Sequence, residues 1–108
     1  MNKRHIHTLN HVVDVYESVL SRPRFGFNVV QKTFDYGFYW TRLELNVDGE
    51  VVPITFWHTK SYVKVTSMKS GFSYCTYIPI SLSVKLKKEA LILAKKLSYK
   101  YIYDIVRM

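Results

Sequence analysis

The dipeptide Asp48-Gly49, set between two alternating segments, constrains the fold of this chain more than any other feature. A two-residue hairpin loop needs positive φ at both central positions, and Asp-Gly meets that need. With this dipeptide as the loop, Val47 pairs with Glu50, and side-chain alternation gives one apolar face. The apolar pairs are Leu45 with Val52, Leu43 with Ile54, and Thr41 with Phe56. The second face pairs Trp40 with Trp57, Arg42 with Thr55, and Glu44 with Pro53.

The same counting extends to two further strands. Thr59-Lys60 is expected to form the next turn, and Ser70-Gly71 the one after it. The pairs that follow are Trp57 with Tyr62, Thr55 with Lys64, Phe56 with Val63, Ile54 with Val65, and Lys64 with Tyr77. Both hairpins agree on which face is apolar, and that agreement supports the register.

Helices are predicted on both sides of the strands in the chain. Apolar residues at helical spacing predict a helix over residues 9–20, capped by Thr8 and ended by Arg22-Pro23. Strands are predicted over residues 25–34, 38–47, 50–58, 61–68 and 72–80. A last helix begins near Ser81 or Ser83, with a pattern that continues toward Val106. The sequence therefore predicts one α+β domain over residues 1–108, with an N-terminal helix, an antiparallel sheet of about five strands and a long C-terminal helix packed on one sheet face.

The charge of the chain favours polyanionic partners. Its 108 residues include 16 Lys and Arg against 8 Asp and Glu, which gives a net charge of +8. Such a charge is typical of nucleic-acid-binding domains, but it also attracts acidic proteins and anionic membranes. No apolar run reaches the ~18 residues of a membrane span. The N-terminus does not match a signal peptide, and the single cysteine favours a cytoplasmic location.

The second face of the sheet is the first candidate binding surface. Its expected rows are Trp40, Trp57 and Tyr62, and beside them Arg42, Thr55, Lys64 and Tyr77. Flat aromatic rings flanked by cations suit stacked bases with phosphates alongside. Trp, Tyr and Arg also dominate protein interfaces, so a protein partner is an alternative. Two further alternatives need no ligand: cross-strand aromatic pairs stabilise sheets, and a helix could cover this face.

The last helix is the second candidate surface. A projection at 100° per residue places a basic row opposite the apolar stripe, formed by Lys85, Lys88, Lys96, Lys100 and Arg107. Only Glu89 lies within it, so its charge favours phosphate contact. A solvated face without a ligand and a membrane-surface helix are the alternatives.

The order of helix, strands and helix, with Lys87-Lys88-Glu89-Ala90 near the start of the last helix, resembles a double-stranded-RNA-binding domain. The resemblance implies that this lysine-rich helix start contacts the phosphates of an A-form groove. It covers those four residues and the element order. Five predicted strands replace the three of that family.

No catalytic, metal or cofactor signature is recognisable. His7, His11 and Asp14 share a helix face with metal-ligand spacing, and an exposed polar face is the favoured interpretation. Cys75 has no neighbour that would activate its thiol.

We therefore expect a small basic non-enzymatic nucleic-acid-binding protein, with DNA or RNA as ligand. The alternative is a protein-binding inhibitor or adaptor of viral, phage or mobile-element type. Such a protein would dock its basic surface on an acidic or nucleic-acid-binding site of a partner. A homodimer through an edge strand is a further option.

Overall fold

The computed structural model describes residues 3–69, 72–79 and 84–98. Within them the chain forms the predicted α+β fold: an N-terminal helix, a five-stranded antiparallel sheet and a second helix. The elements are α1 (Lys3–Leu20), β1 (Asn28–Asp35), β2 (Trp40–Val47), β3 (Glu50–His58), β4 (Tyr62–Lys69), β5 (Phe72–Pro79) and α2 (Val84–Leu97), with a 3₁₀ turn (Pro23–Phe25) before β1. The predicted turn at Ser70-Gly71, the caps at Ser81 or Ser83 and the continuation toward Val106 lie outside the described residues.

The first helix begins earlier than predicted. It starts at Lys3, so Thr8 lies inside the helix and the predicted cap is wrong. Half-buried Ile6 stands three residues before Leu9, and it extends the apolar stripe by one turn. The end is as predicted, because the helix stops at Leu20 ahead of Arg22-Pro23.

The hairpin around Asp48-Gly49 has the predicted register. Val47 pairs with Glu50, and the pairing continues without a break to Trp40 and Trp57. Asp48 has φ 52° and Gly49 has φ 86°, the left-handed values that this turn requires. The Gly49 N–H donates to Asn46 Oδ1 at 3.0 Å, which closes the turn.

The predicted register between β3 and β4 is wrong by two residues. Trp57 pairs with Lys64 rather than with Tyr62, and Phe56 pairs with Val65. The turn is formed by Lys60 and Ser61 instead of Thr59-Lys60, because Thr59 pairs with Tyr62 across the turn. The Thr59 N–H donates to the Tyr62 carbonyl at 2.8 Å, and Thr59 Oγ1 accepts from the Tyr62 N–H at 3.1 Å. A shift of two residues keeps every side chain on its predicted face. The pairing of Lys64 with Tyr77 in the next hairpin is confirmed.

The strands follow one another in sheet order, and both helices pack on the same sheet face. Leu43, Leu45, Ile54, Phe56 and Val65 supply this inner face and are fully buried. The helices add a matching stripe of buried residues: Leu9, Val12, Val13, Tyr16, Val19 and Leu20 from α1, and Leu86, Ala90, Leu93, Ala94 and Leu97 from α2. The described helices include none with the length and apolarity needed to cross a membrane.

Candidate functional site

The sheet face that points away from the helices, here called the outer face, remains open to solvent. The side chains of Trp57, Tyr62 and Tyr77 are 40%, 44% and 55% exposed. Neither described helix covers them, because the buried residues of both helices contact the inner face. The alternative in which one of these helices forms a second core layer is therefore wrong.

One row of side chains crosses the outer face from β2 to β5. Paired registers place Trp40 opposite Trp57, Trp57 opposite Lys64, and Lys64 opposite Tyr77. Tyr62, expected beside the tryptophans, lies one row further out, where it pairs with Pro79. The two-residue shift between β3 and β4 thus inserts a cation into the aromatic row, and we call Trp40, Trp57, Lys64 and Tyr77 the central row.

The neighbouring row also differs from the prediction. Arg42 and Thr55 share a row as expected, but their partners across the sheet are Thr66 and Cys75 rather than Lys64 and Tyr77. The hydroxyl of Thr66 replaces an ammonium beside Thr55. Arg42 is therefore the cation of this row, diagonal to Lys64.

Ring contacts join the aromatic side chains of the outer face in two pairs, one on either side of Lys64. The ring centroids of Trp40 and Trp57 are 5.9 Å apart with an interplanar angle of 41°. Those of Tyr62 and Tyr77 are 6.1 Å apart and nearly perpendicular. Such pairs restrict ring motion and are favourable by about 0.5–1.5 kcal/mol beyond burial. The rings are consequently held in place before any ligand arrives.

Each outer-face cation rests on a ring. The Arg42 guanidinium carbon lies 5.4 Å from the Trp40 ring centroid, and Lys64 Nζ lies 5.8 Å from that of Tyr77. Both distances are within cation–π range. The buried Nε of Arg42 has no hydrogen-bond partner among the described residues. The position over Trp40 therefore orients the guanidinium, and its remaining N–H groups can contact a ligand.

Acidic side chains lie toward one end of the outer face. Asp35 on the edge strand β1 pairs with Trp40, and Glu44 on β2 pairs with Pro53. Lys64 and the exposed tyrosines lie on β4 and β5, at the opposite end. Because like charges repel, a phosphate is disfavoured beside Asp35 and Glu44 and favoured at the Arg42 guanidinium and over β4, where Lys64 lies.

The lysines of α2 form the second surface. Lys85, Lys88 and Lys96 are exposed, as are Lys87 and Lys95, and no described carboxylate forms an ion pair with them. Glu17 on the other helix, by contrast, forms an ion pair with Lys32 at 3.0 Å. Lys100 and Arg107, predicted members of this surface, lie outside the described residues.

The two surfaces lie on opposite sides of the molecule. The buried stripe of α2 belongs to the core on the inner face, so the exposed lysines of α2 lie on the helix side of the sheet, Lys96 with its Nζ 5.9 Å from the Tyr74 ring centroid. The central row points away on the other side. A short ligand therefore cannot contact both surfaces at once.

A buried polar chain beneath the helices was not predicted. The hydroxyls of Tyr16 and Tyr74 are 3.1 Å apart, and Tyr74 donates to Glu89 Oε2 at 3.4 Å. Burial raises the pKa of both tyrosines well above the ordinary value. Glu89, assigned from the sequence to the lysine row, therefore turns partly inward. The two tyrosines stand 58 positions apart in the sequence, so no local pattern indicates that they meet.

The three residues considered as metal ligands belong to neither of the two candidate binding surfaces. His7, His11 and Asp14 are exposed on α1. The described residues contain no group of three His, Cys, Asp or Glu side chains placed to hold a metal ion. Cys75 is exposed on the outer face, opposite Thr66.

Comparisons with protein-family models, with curated proteins and with solved structures give no match to this chain. The function is therefore inferred from the geometry of the two surfaces.

Proposed function

We propose that this protein is a non-enzymatic binder of single-stranded nucleic acid and that the outer face is its binding site. The observation that supports this proposal most strongly is the central row, in which three aromatic rings and a lysine lie side by side on four adjacent strands. An open sheet with exposed rings offers bases a flat surface on which to stack.

Single-stranded rather than double-stranded ligands fit this surface because stacking needs an accessible base face. Stacking on Trp57, Tyr62 and Tyr77 contributes about 1–3 kcal/mol per base. Arg42 and Lys64 contact the phosphates between stacked bases. The carboxylates of Asp35 and Glu44 direct the backbone toward β4 and β5.

The net charge of +8 acts over a longer range. It raises the local concentration of a polyanion and speeds association, with a strong dependence on salt. The lysines of α2 contribute to this attraction without contacting the strand that occupies the outer face.

A protein-binding inhibitor or adaptor of viral or mobile-element type is the second candidate. Met68 and Val51, which are 70% and 50% exposed, favour it because they extend the outer face with apolar side chains. Trp, Tyr and Arg at the centre of a surface suit a protein interface equally well. Such a protein would occupy the nucleic-acid-binding site of its partner.

Fluorescence anisotropy with labelled single-stranded DNA, single-stranded RNA and duplexes at about 50 mM salt tests the proposal. We expect single strands to bind more tightly than duplexes of the same length. A protein that binds none of these ligands contradicts the proposal. Capture of a specific protein partner through the same outer-face residues would then support the inhibitor function.

A further inference from the structure

The two edges of the sheet differ in how they are protected against pairing. β1 carries a register irregularity between Val29 and Gln31, and its side chains include Lys32 and Asp35. Bulges and charges of this kind keep edge strands from pairing with another chain. β5 has neither feature: its eight residues pair with β4 without a break, none of them is charged, and its one proline, Pro79, stands at the last position of the strand.

We propose that β5 pairs antiparallel with β5 of a second copy of this chain. A two-fold axis perpendicular to the sheet passes through Cys75 and keeps the helices of both copies on one side. Main-chain hydrogen bonds then extend two five-stranded sheets into one of ten strands. The inference does not depend on nucleic-acid binding, although the joined sheet would present two central rows on one surface.

The sequence of β5 is complementary to itself in this register. Antiparallel residues that face each other must lie on the same sheet face, so a pairing centred on Cys75 is permitted. Its cross-strand pairs are Cys75 with Cys75, Tyr74 with Thr76, Ser73 with Tyr77, and Phe72 with Ile78. Each non-identical pair joins an aromatic side chain to a small or β-branched one, and no like charges face each other.

Side-chain exposure on β5 fits an interface that leaves the core intact. Tyr74 and Ile78, which point inward, are already buried by the protein itself. Ser73, Cys75 and Tyr77 on the outer side are exposed. Pairing through the strand edge therefore requires no rearrangement of the helices.

Sedimentation and thiol crosslinking test this dimer. We expect a dimer in sedimentation, and covalent capture of that dimer by a short bismaleimide, because directly opposed residues have Cβ atoms only about 5 Å apart. The matched control carries Cys75→Ser and Gln31→Cys, which moves the thiol to an exposed position on β1. This control should stay dimeric without being crosslinked. A monomer at every concentration, or crosslinking through position 31 instead, contradicts the inference.

Charge placed at the two-fold axis gives a second test. Cys75→Lys puts two ammonium groups opposite each other, so we expect a monomer with unchanged circular dichroism and with a Tm that no longer depends on protein concentration. Cys75→Asp, which opposes two carboxylates at the same position, serves the same purpose if the first variant fails to fold. A dimer that persists in a folded variant contradicts the inference.

Salt separates this inference from the proposed function. Each copy carries a charge of +8, so screening should strengthen the dimer as salt rises. Nucleic-acid binding should weaken over the same range. Loss of the dimer in Cys75→Lys with retained binding of single strands would show that the two properties are separate.

Discussion

The outer face and the lysine surface of α2 are both cationic, but they hold their cations differently. On the outer face, Arg42 lies over Trp40 and Lys64 over Tyr77, and each of these rings contacts a second aromatic ring. On α2, Lys96 lies over the Tyr74 ring at 5.9 Å, whereas the other exposed lysines have no described ring or carboxylate paired with them. Cations placed among exposed rings suit contacts at defined positions, whereas lysines along a solvent-exposed helix supply attraction that depends little on the geometry of the ligand. The comparison favours the outer face as the proposed binding site and α2 as a source of long-range attraction.

The largest expected effect follows from Trp57→Ala. Losing one stacking platform should weaken binding of a single-stranded oligonucleotide by roughly 5- to 150-fold, since stacking contributes about 1–3 kcal/mol per base. Phe34→Ala is the matched control, because Phe34 is 41% exposed, as Trp57 is 40%, but belongs to the opposite face of the sheet. Anisotropy titrations measure both. Equal affinities for the two variants would show that the outer face is not the binding site.

The next effect concerns the salt dependence of binding. For single strands, each phosphate contact adds about 0.7 to the slope of log affinity against log salt. Removing both outer-face cations with Arg42→Gln and Lys64→Gln should therefore reduce the slope by about 1.4. An unchanged slope would mean that these side chains contact no phosphate.

The core between the two surfaces should affect stability without affecting binding. Tyr16→Phe removes the hydroxyl contact with Tyr74 and should lower the free energy of unfolding by about 0.5–1.5 kcal/mol. Tyr62→Phe, on the exposed outer face, should change it by less than about 0.5 kcal/mol. Urea denaturation measures both values. A Tyr16→Phe variant as stable as the unmodified protein would show that this hydrogen bond adds no net stability.

The same tyrosines give the protein a sensitivity to alkaline pH. Their pKa values are raised in the folded state by burial, so the unfolded chain releases these protons first. Their contribution is fully present below the unfolded tyrosine pKa of about 10 and is lost as the pH rises above it. Tyr16→Phe should make the decline in unfolding free energy above that pH less steep, and an unchanged decline would contradict this origin.

The smallest effect is expected from the α2 lysines. The triple variant Lys85→Gln, Lys88→Gln and Lys96→Gln removes three charges, which slows association but should leave the salt slope close to that of the unmodified protein. A slope reduced by about 2, at 0.7 for each of three contacts, would reverse the comparison and place the phosphates on α2.

Local sequence rules predicted the parts of the fold that depend on few residues. Asp48-Gly49 determined the β2–β3 register because its positive φ values permit one hairpin geometry. The turn near Thr59 has no such residue, and a side-chain hydrogen bond moves it by one position, which shifts the register by two. That shift decides which side chains adjoin the tryptophans. The sequence therefore predicted which side chains lie on the outer face, but not which of them lie next to each other across the strands.

Contacts between distant segments could not be predicted from local patterns. The chain from Tyr16 through Tyr74 to Glu89 joins both helices to β5. Helical and strand periodicity indicates which side chains point inward but carries no information on which residues meet across the core. The outer face is likewise exposed because both helices pack on the opposite side of the sheet, which local patterns do not determine.

Intrinsic tryptophan fluorescence during titration with a single-stranded oligonucleotide tests the central claim most directly. The chain contains two tryptophans, Trp40 and Trp57, and both lie on the outer face. Stacked bases should quench their emission, with a dissociation constant equal to that from anisotropy. Binding seen by anisotropy with unchanged tryptophan emission would contradict the claim and place the ligand on the far side of the molecule.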